Sequence, residues 1–291
     1  MRSMRLANWL LNPFQTLDTK TIYELIGRDS PTSSLWLNLG YWKHADNLTE
    51  ACEALATLVA ETAGMAHNDD VVDCGFGFGD QDAWWALNYA PRSIIGLNIT
   101  PSQVRHARER IEQVGVASTV DLRVGSATAM PLEAESADVV IALESAFHFD
   151  TREAFFREAS RVLRPGGRLV VADILPLDEG PSCPTKAKRR LSWRLTASKF
   201  AIPDENAYSI DHYRSLLSDC GFEEVSVESI RDDVYEPLHA FLNRDKRAIA
   251  RLHPVMRLPA WVALRSDPDA VFAGLDYVIA HAVKPIATAT P

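Results

Sequence analysis

The residues with the most chemistry to offer lie around Asp73, where the apolar run Val71-Val72-Asp73-Cys74 breaks into glycines at alternating positions, Gly75, Gly77 and Gly79, followed at once by Asp80. Glycine accepts positive φ and lets a ligand approach where a Cβ would collide, so a strand that ends in such a loop and runs into a helix can seat a nucleotide-like group. The spacing is G-x-G-x-G rather than the G-x-G-x-x-G that sets a pyrophosphate on a helix N-terminus, and an acid directly after it opposes a phosphate. Asp73 can accept hydrogen bonds from a cationic amino-acid ligand or orient the loop. The ligand so described is zwitterionic. A second reactive group follows the apolar run Val139-Val140-Ile141-Ala142-Leu143, where Glu144, Ser145 and His148 stand close together. An imidazole, with an ordinary pKa near ~6.5, can take a proton from a hydroxyl, an amine or an activated carbon.

An open α/β sheet is the framework that would position these groups. Strand and helix patterns alternate over residues 70–175, as in a parallel sheet with helices on both faces. In such a sheet the ligand sits beyond the C-terminal strand ends where the strand order reverses. The glycine loop, Asn98, residues 144–148 and Asp173 all fall at those ends. Residues 1–66 are helical in pattern, with a short helix over 16–26 and a longer one over 49–63 that sets alanine and leucine on its inner face. Between them runs an aromatic loop, Leu35-Trp36-Leu37-Asn38-Leu39-Gly40-Tyr41-Trp42. The chain carries no internal repeat and no low-complexity linker.

Four ordered segments resemble the class I S-adenosylmethionine (SAM) methyltransferases. The glycine loop is similar to their motif I. Ser93-Ile94-Ile95-Gly96-Leu97-Asn98-Ile99-Thr100-Pro101-Ser102-Gln103 is similar to their second strand and the helix start after it. Val139 to His148 resembles the fourth strand and its catalytic edge, and Arg161-Val162-Leu163-Arg164-Pro165-Gly166-Gly167 resembles the turn into strand five, which ends at Asp173. The resemblance is close over residues 69–176 and looser elsewhere; the nearest group in pattern acts on natural products, sterols, tocopherols and quinones. It implies a Rossmann-like sheet of seven mostly parallel strands with helices on both faces. Residues 222–230 and 275–282 would form the antiparallel edge hairpin. It also implies an N-terminal helical cap or gate over residues 1–66 and a SAM-binding domain over 67–291, with a lid at 177–208 and an insertion at 231–273.

The cofactor implied is SAM, without a metal. The cofactor contacts it implies are Tyr41, Asp73, Gly75, Gly77, Gly79, Asn98, Ile99, Gln103, Ser126, Ala127 and Glu144. Two positions depart from the family. Asn98 stands where an acid usually holds the ribose hydroxyls, and Ser126 stands where an acid usually meets the adenine amino group; each can still form a hydrogen bond with less charge assistance. His148 and Asp173 resemble the paired base and acid of sugar O-methyltransferases, in which Asp173 would orient the imidazole or share the substrate proton; alternatively His148 only lines a pocket wall beside Phe147 and Phe149. Glu144 and Ser145 would hold the methionine end of the cofactor or the loop around it, or Glu144 would only cap local backbone. The 35–42 loop, with Asn38, Gly40, Tyr41 and Trp42, would be a gate over the cofactor, or aromatic core.

Composition narrows the partners. At 291 residues with 47% hydrophobic content the chain can bury a sizeable core, and a formal charge of −9 argues against general nucleic-acid binding. Cys52, Cys74, Cys183 and Cys220 show no C-x-x-C spacing, which gives no metal signature and favours a reducing cytoplasm. The N-terminal residues lack a cleavage-site pattern, and no apolar run reaches membrane length. Against this acidic background, Lys186, Lys188, Arg189, Arg190, Arg194 and Lys199 are interleaved with Leu191, Trp193, Leu195 and Phe200. Such a stretch reads as a substrate lid, a docking site for an anionic substrate, a membrane-surface contact or a solvated helix face. Phe241, Leu242, Met256, Leu258 and Trp261 would roof an apolar pocket, and these segments would also serve a homodimer.

The function expected is methyl transfer from SAM to a largely apolar small molecule, foremost O-methylation in specialised metabolism. Carboxyl methyl ester formation on a fatty or polyketide acid and C-methylation of a quinone or prenyl chain are the alternatives. From other classes come a NAD-dependent oxidoreductase, which lacks its glycine spacing, and a catalytically inactive SAM-fold partner protein.

Overall fold

In the computed structural model, which describes residues 36–177, 182–244 and 254–286, seven strands form one sheet in the order β3-β2-β1-β4-β5-β7-β6. The strands are β1 (Asp70–Cys74), β2 (Ser93–Asn98), β3 (Val120–Val124), β4 (Ala137–Leu143), β5 (Leu163–Pro176), β6 (Glu223–Ser229) and β7 (Leu275–Val283). The first five are parallel, and β7 runs antiparallel between β5 and β6. The expected edge hairpin is therefore present. The short helix expected over 16–26, and the start of the expected lid at 178–181, lie outside the described residues.

The central strands are apolar on both faces because both faces are covered. Val71, Val139 and Ile141 join one buried cluster, while Val72, Val140 and Ala142 join another, the alternation that a two-residue period imposes. Helix α1 (Leu48–Thr62) covers the first face: Asn47 caps it by accepting the Glu50 N–H at 3.1 Å, and Ala51, Leu55 and Val59 point inward. The indole of Trp85, on α2 (Asp80–Asn88), donates to Ala56 O at 2.8 Å and ties the two helices together. Next come α3 (Pro101–Val114) and α4 (Arg152–Val162), the latter preceded by a single 3-10 turn, Ala146–His148.

The Arg-Pro-Gly-Gly segment is taken into β5 instead of forming a free turn. Register slips between the pairs Ala137/Leu163 and Val139/Arg168, and Gly166 takes φ 79°, so the segment forms a bulge at the start of the strand.

The basic stretch forms α5 (Cys183–Phe200), which buries Trp193 and Ala197 and leaves Leu191, Leu195 and Phe200 exposed. It rests on the β7 entry, where Ser192 Oγ accepts the Gly274 N–H at 3.1 Å. After α6 (Ile210–Asp219), the insertion contributes α7 (Tyr235–Arg244), α8 (Pro254–Arg265) and α9 (Pro268–Val271). Phe241 of α7 packs on Trp42 with ring centroids 4.9 Å apart, whereas Leu258 and Trp261 of α8 face solvent. The insertion thus braces the 36–42 loop, and none of its described residues lines the central cleft expected beneath it. Among the described residues no helix is long and apolar enough to cross a membrane.

Candidate active site

A cleft opens at the C-terminal ends of β1, β2 and β4, where β1 separates the strands that run outward in opposite sequence order. Gly75 sits at its floor with φ 94°, and a Cβ there would lie 2.3 Å from the Cβ of Ser145. Ser145 Oγ in turn donates to Cys74 O at 2.5 Å, so the β1 turn and the β4 edge are drawn against each other. Gly77, at φ 59°, lies under Leu37.

The other two members of the expected glycine-loop set do not face the cleft. Gly79 caps α2 at φ 82°, and its Cβ position points at Leu122 and Ala107, so it serves helix packing. Asp73 is fully buried beneath the loop, where its Oδ2 accepts from Gln81 Nε2 at 2.8 Å; the residue that reaches the cleft is Gln81. Of the two roles open to Asp73, its place fits orienting the loop.

Asp82 lies next to Asp73, equally buried. Burial drives both carboxyls upward, Asp73 to about 7, with the neighbouring Asp73 charge raising Asp82 further. An acid whose folded-state pKa is raised lends stability while protonated and withdraws it as pH climbs through that value. Thermal stability should therefore fall as pH rises from about 4, the ordinary carboxylate pKa, through about 7, with Glu144 contributing in the same sense. Asp82→Asn, which keeps the volume and can donate to Asp73, should flatten that decline in melting curves. An unchanged pH profile would remove the pair as its source.

On the β2 and β3 side the expected contacts converge. Asn98, Ile99, Gln103, Ser126 and Ala127 all line the cleft, with Thr100 and Thr128 beside them. Asn98 Oδ1 accepts the Thr100 N–H at 2.9 Å and Asn98 Nδ2 donates to Gln103 Oε1 at 3.3 Å. Ser126 Oγ accepts the Thr128 N–H at 3.2 Å and meets Thr128 Oγ1 at 2.9 Å. The two positions that depart from the family thus hold their own loops in shape while facing the cleft.

The 36–42 loop closes the near side. Asn38 and Leu37 line the cleft, and Tyr41 does not: its amide is tied to Ala51 O at 2.8 Å and its side chain turns to Asp233. Asn38 Oδ1 accepts the Gly40 N–H at 2.9 Å, while Asn38 Nδ2 is buried without a partner among the described residues. A buried donor left in this way favours a ligand that accepts.

Glu144 stands at the end of β4 in the left-handed region, φ 50°. Its Oε1 accepts from the Leu39 amide at 2.6 Å and from the Tyr277 hydroxyl at 2.7 Å, and burial lifts its pKa to about 7.

His148 also lines the cleft, but its expected partner is engaged elsewhere. Asp173 accepts from Arg152 Nε at 2.7 Å and Nη2 at 3.2 Å, from Tyr213 Oη at 3.2 Å and from the Ile174 N–H at 2.9 Å. Both ions are fully buried, and the guanidinium also lies over the rings of Tyr208 and Tyr213, 5.3 and 5.7 Å from their centroids. This corrects the His148–Asp173 pairing: a guanidinium satisfies a buried carboxylate with charge, which a neutral imidazole cannot do. His148 instead bonds the Phe200 backbone, and burial, with the nearby Arg152 charge, lowers its pKa to about 3. Arg152 was invisible in the sequence; a lone arginine opening a helix gives no sign of burial.

The cleft walls carry Glu144 and Asp150 and no lysine or arginine among the described lining residues. No group of acidic, histidine or cysteine residues able to hold a metal ion occurs among the described residues.

Comparison with known proteins agrees with this geometry. Residues 72–171 match the family described as a methyltransferase domain. The chain is 38% identical over 275 residues to erythromycin 3''-O-methyltransferase of Saccharopolyspora erythraea, covering 90% of this chain and 89% of that enzyme. It is 31% identical over 205 residues to 27-O-demethylrifamycin SV methyltransferase of Amycolatopsis mediterranei, covering 67% and 71%. Among solved structures, geranyl diphosphate C-methyltransferase from Streptomyces coelicolor A3(2), crystallised with S-adenosyl-L-homocysteine, shares the fold at a TM-score of 0.64 and 16% identity, covering 94% of this chain and 95% of that one.

Proposed function

Because this chain belongs to the SAM-dependent methyltransferases of specialised metabolism, we propose that it methylates a hydroxyl oxygen on a largely apolar acceptor that is neutral or cationic. The observation that carries this reading is the charge of the cleft. Glu144 and Asp150 face it with no cation among the described lining residues, which opposes a carboxylate or diphosphate. The two relatives described above are named for oxygen methylation, of erythromycin and of a rifamycin. The anionic acceptor suggested by the basic stretch draws no support from this cleft. Lys186, Arg189 and Arg190 line a separate groove with Pro176, Trp193 and Tyr208.

The cleft fits the cofactor: the glycine floor leaves room that a Cβ would fill, and Asn38 Nδ2 offers a buried donor. Asn38, Gly75 and Gly77 would hold the methionine end, and Asn98, Gln103 and Ser126 the adenosine. When bound, SAM supplies an electrophilic methyl group on a sulfonium. The protein's part is then to orient the acceptor, exclude water and receive a proton. His148, kept neutral by burial, can both donate and accept hydrogen bonds, and in that form it orients the acceptor hydroxyl. All four cysteines are free, which supports a reducing cytoplasm as its location.

Incubation with methyl-labelled SAM and erythromycin lacking its 3''-O-methyl group, or an extract of source cells, tests the reading. Label that survives mild alkali is expected. Release as methanol would mean an ester and overturn it, and S-adenosylhomocysteine binding without any transfer would point to an inactive partner protein. With the same acceptor, His148→Ala should lower kcat by about 10- to 100-fold through lost orientation while leaving S-adenosylhomocysteine affinity intact. Unaltered kcat would place His148 as pocket wall only.

A further inference from the structure

A hydroxyl acceptor must lose its proton as its oxygen is methylated, and the imidazole on the cleft wall is poorly suited to take it. His148 is buried beside the Arg152 guanidinium, where a second positive charge is disfavoured. Another group on the same wall has the opposite character. Glu144 accepts the Leu39 amide and the Tyr277 hydroxyl on the same oxygen, Oε1. The side chain's hydrogen bonds among the described residues are both on Oε1 and none is on Oε2, and the residue lines the cleft. The backbone is fixed in the left-handed region, with the Glu144 N–H bonded to Ala172 O at 2.8 Å; strain of this kind in a residue other than glycine is concentrated at working sites.

We propose that Glu144 is the proton acceptor of the reaction, with Oε1 anchored by Leu39 and Tyr277 and Oε2 receiving the hydroxyl proton of the acceptor. The inference rests on the hydroxyl-methylating reading above. In the balanced step, the acceptor oxygen gains the methyl carbon while its O–H bond breaks. The carbon–sulfur electron pair stays on sulfur, and the proton passes to Oε2. One cation and one carboxylate become two neutral groups, which a water-poor cleft favours. The proton then leaves to solvent as the product departs.

The surroundings leave Glu144 free to titrate near neutrality. Burial raises Tyr277, Tyr235 and Cys52 out of that range, and the Asp173 charge is matched by Arg152. Burial sets Glu144 itself at about 7, where a base can both take a proton and give it up.

Glu144→Gln isolates the proton, because the amide oxygen can still accept from Leu39 and Tyr277. The expected result is a kcat lower by about 100-fold or more, an unchanged KM for the acceptor and unchanged S-adenosylhomocysteine affinity. The wild-type rise of kcat with pH through neutrality should disappear in Glu144→Gln and persist in His148→Ala. Infrared difference spectra of the S-adenosylhomocysteine complex should show, beside the contribution of Asp73, a second carboxyl component that titrates near neutrality and is missing in Glu144→Gln. That readout is independent of turnover and decides the matter if the demethylated macrolide is not accepted. A variant within a few-fold of wild-type kcat, or no such band, overturns the proposal. Wild-type product that is alkali-labile overturns the hydroxyl reading instead, so the two failures are distinct.

Discussion

Replacing Arg152 with methionine is expected to reduce the free energy of unfolding by about 3–5 kcal/mol, because Asp173 would be left buried and uncompensated. The pair is fully buried, and the guanidinium also donates to Asn206 O and Ile174 O, so one side chain joins β5, α4 and the loop before α6. The double variant Arg152→Met/Asp173→Asn removes both charges and should recover much of the loss, since a neutral buried pair lacks the penalty of an isolated ion. Urea denaturation of the two single variants and the double gives the coupling directly. A single-variant loss below about 1 kcal/mol would mean that water reaches Asp173 and that the pair behaves as a surface bridge. The same cycle locates the effect of Asp173→Asn, which should appear in stability more than in the pH dependence of turnover.

Gly75→Ala should abolish most cofactor binding. The backbone at φ 94° alone costs a Cβ-bearing residue about 1–2 kcal/mol, roughly tenfold in affinity if it is met on binding, and the added Cβ would lie 2.3 Å from that of Ser145. Relief of the collision must part the β1 turn from the β4 edge, which carries Glu144 and Ser145 into a different position. Gly115→Ala is the matched control: φ is 84°, and no atom lies within 4 Å of the added carbon. It ends α3, remote from the cleft, and should lose only the backbone penalty in stability with S-adenosylhomocysteine affinity retained. Calorimetric titration of both variants separates the outcomes. Equal affinities would show that the close approach at Gly75 is unimportant for the ligand.

The sequence by itself determined the sheet and the location of the cleft. Val71, Val72 and Cys74, and the run Val139 to Leu143, are apolar without alternation because both faces of a parallel strand are covered, a property of the local run that needs no knowledge of neighbours. The alternating glycines, Asn98 and Ser126 were legible for the same reason: they are punctuation at strand ends, and strand ends are where an open sheet binds. What each polar group does was decided by tertiary structure. Gly75 and Gly79 are the same residue four apart, yet one floors the cleft and the other packs on Ala107, because the loop turns between them. Tyr41 is expected at the cofactor, yet Asn38 and not Tyr41 lines the cleft, since the close approach of Gly40 to Ala51 fixes which way that loop faces. The partners of Glu144 lie 105 and 133 positions away in the chain, and Asp173 meets Arg152 across 21. No periodicity encodes such separations. The balance between His148 and Glu144 is likewise a property of burial and neighbouring charge: desolvation pushes an imidazole down and a carboxyl up, and only the folded chain sets how far each is removed from water.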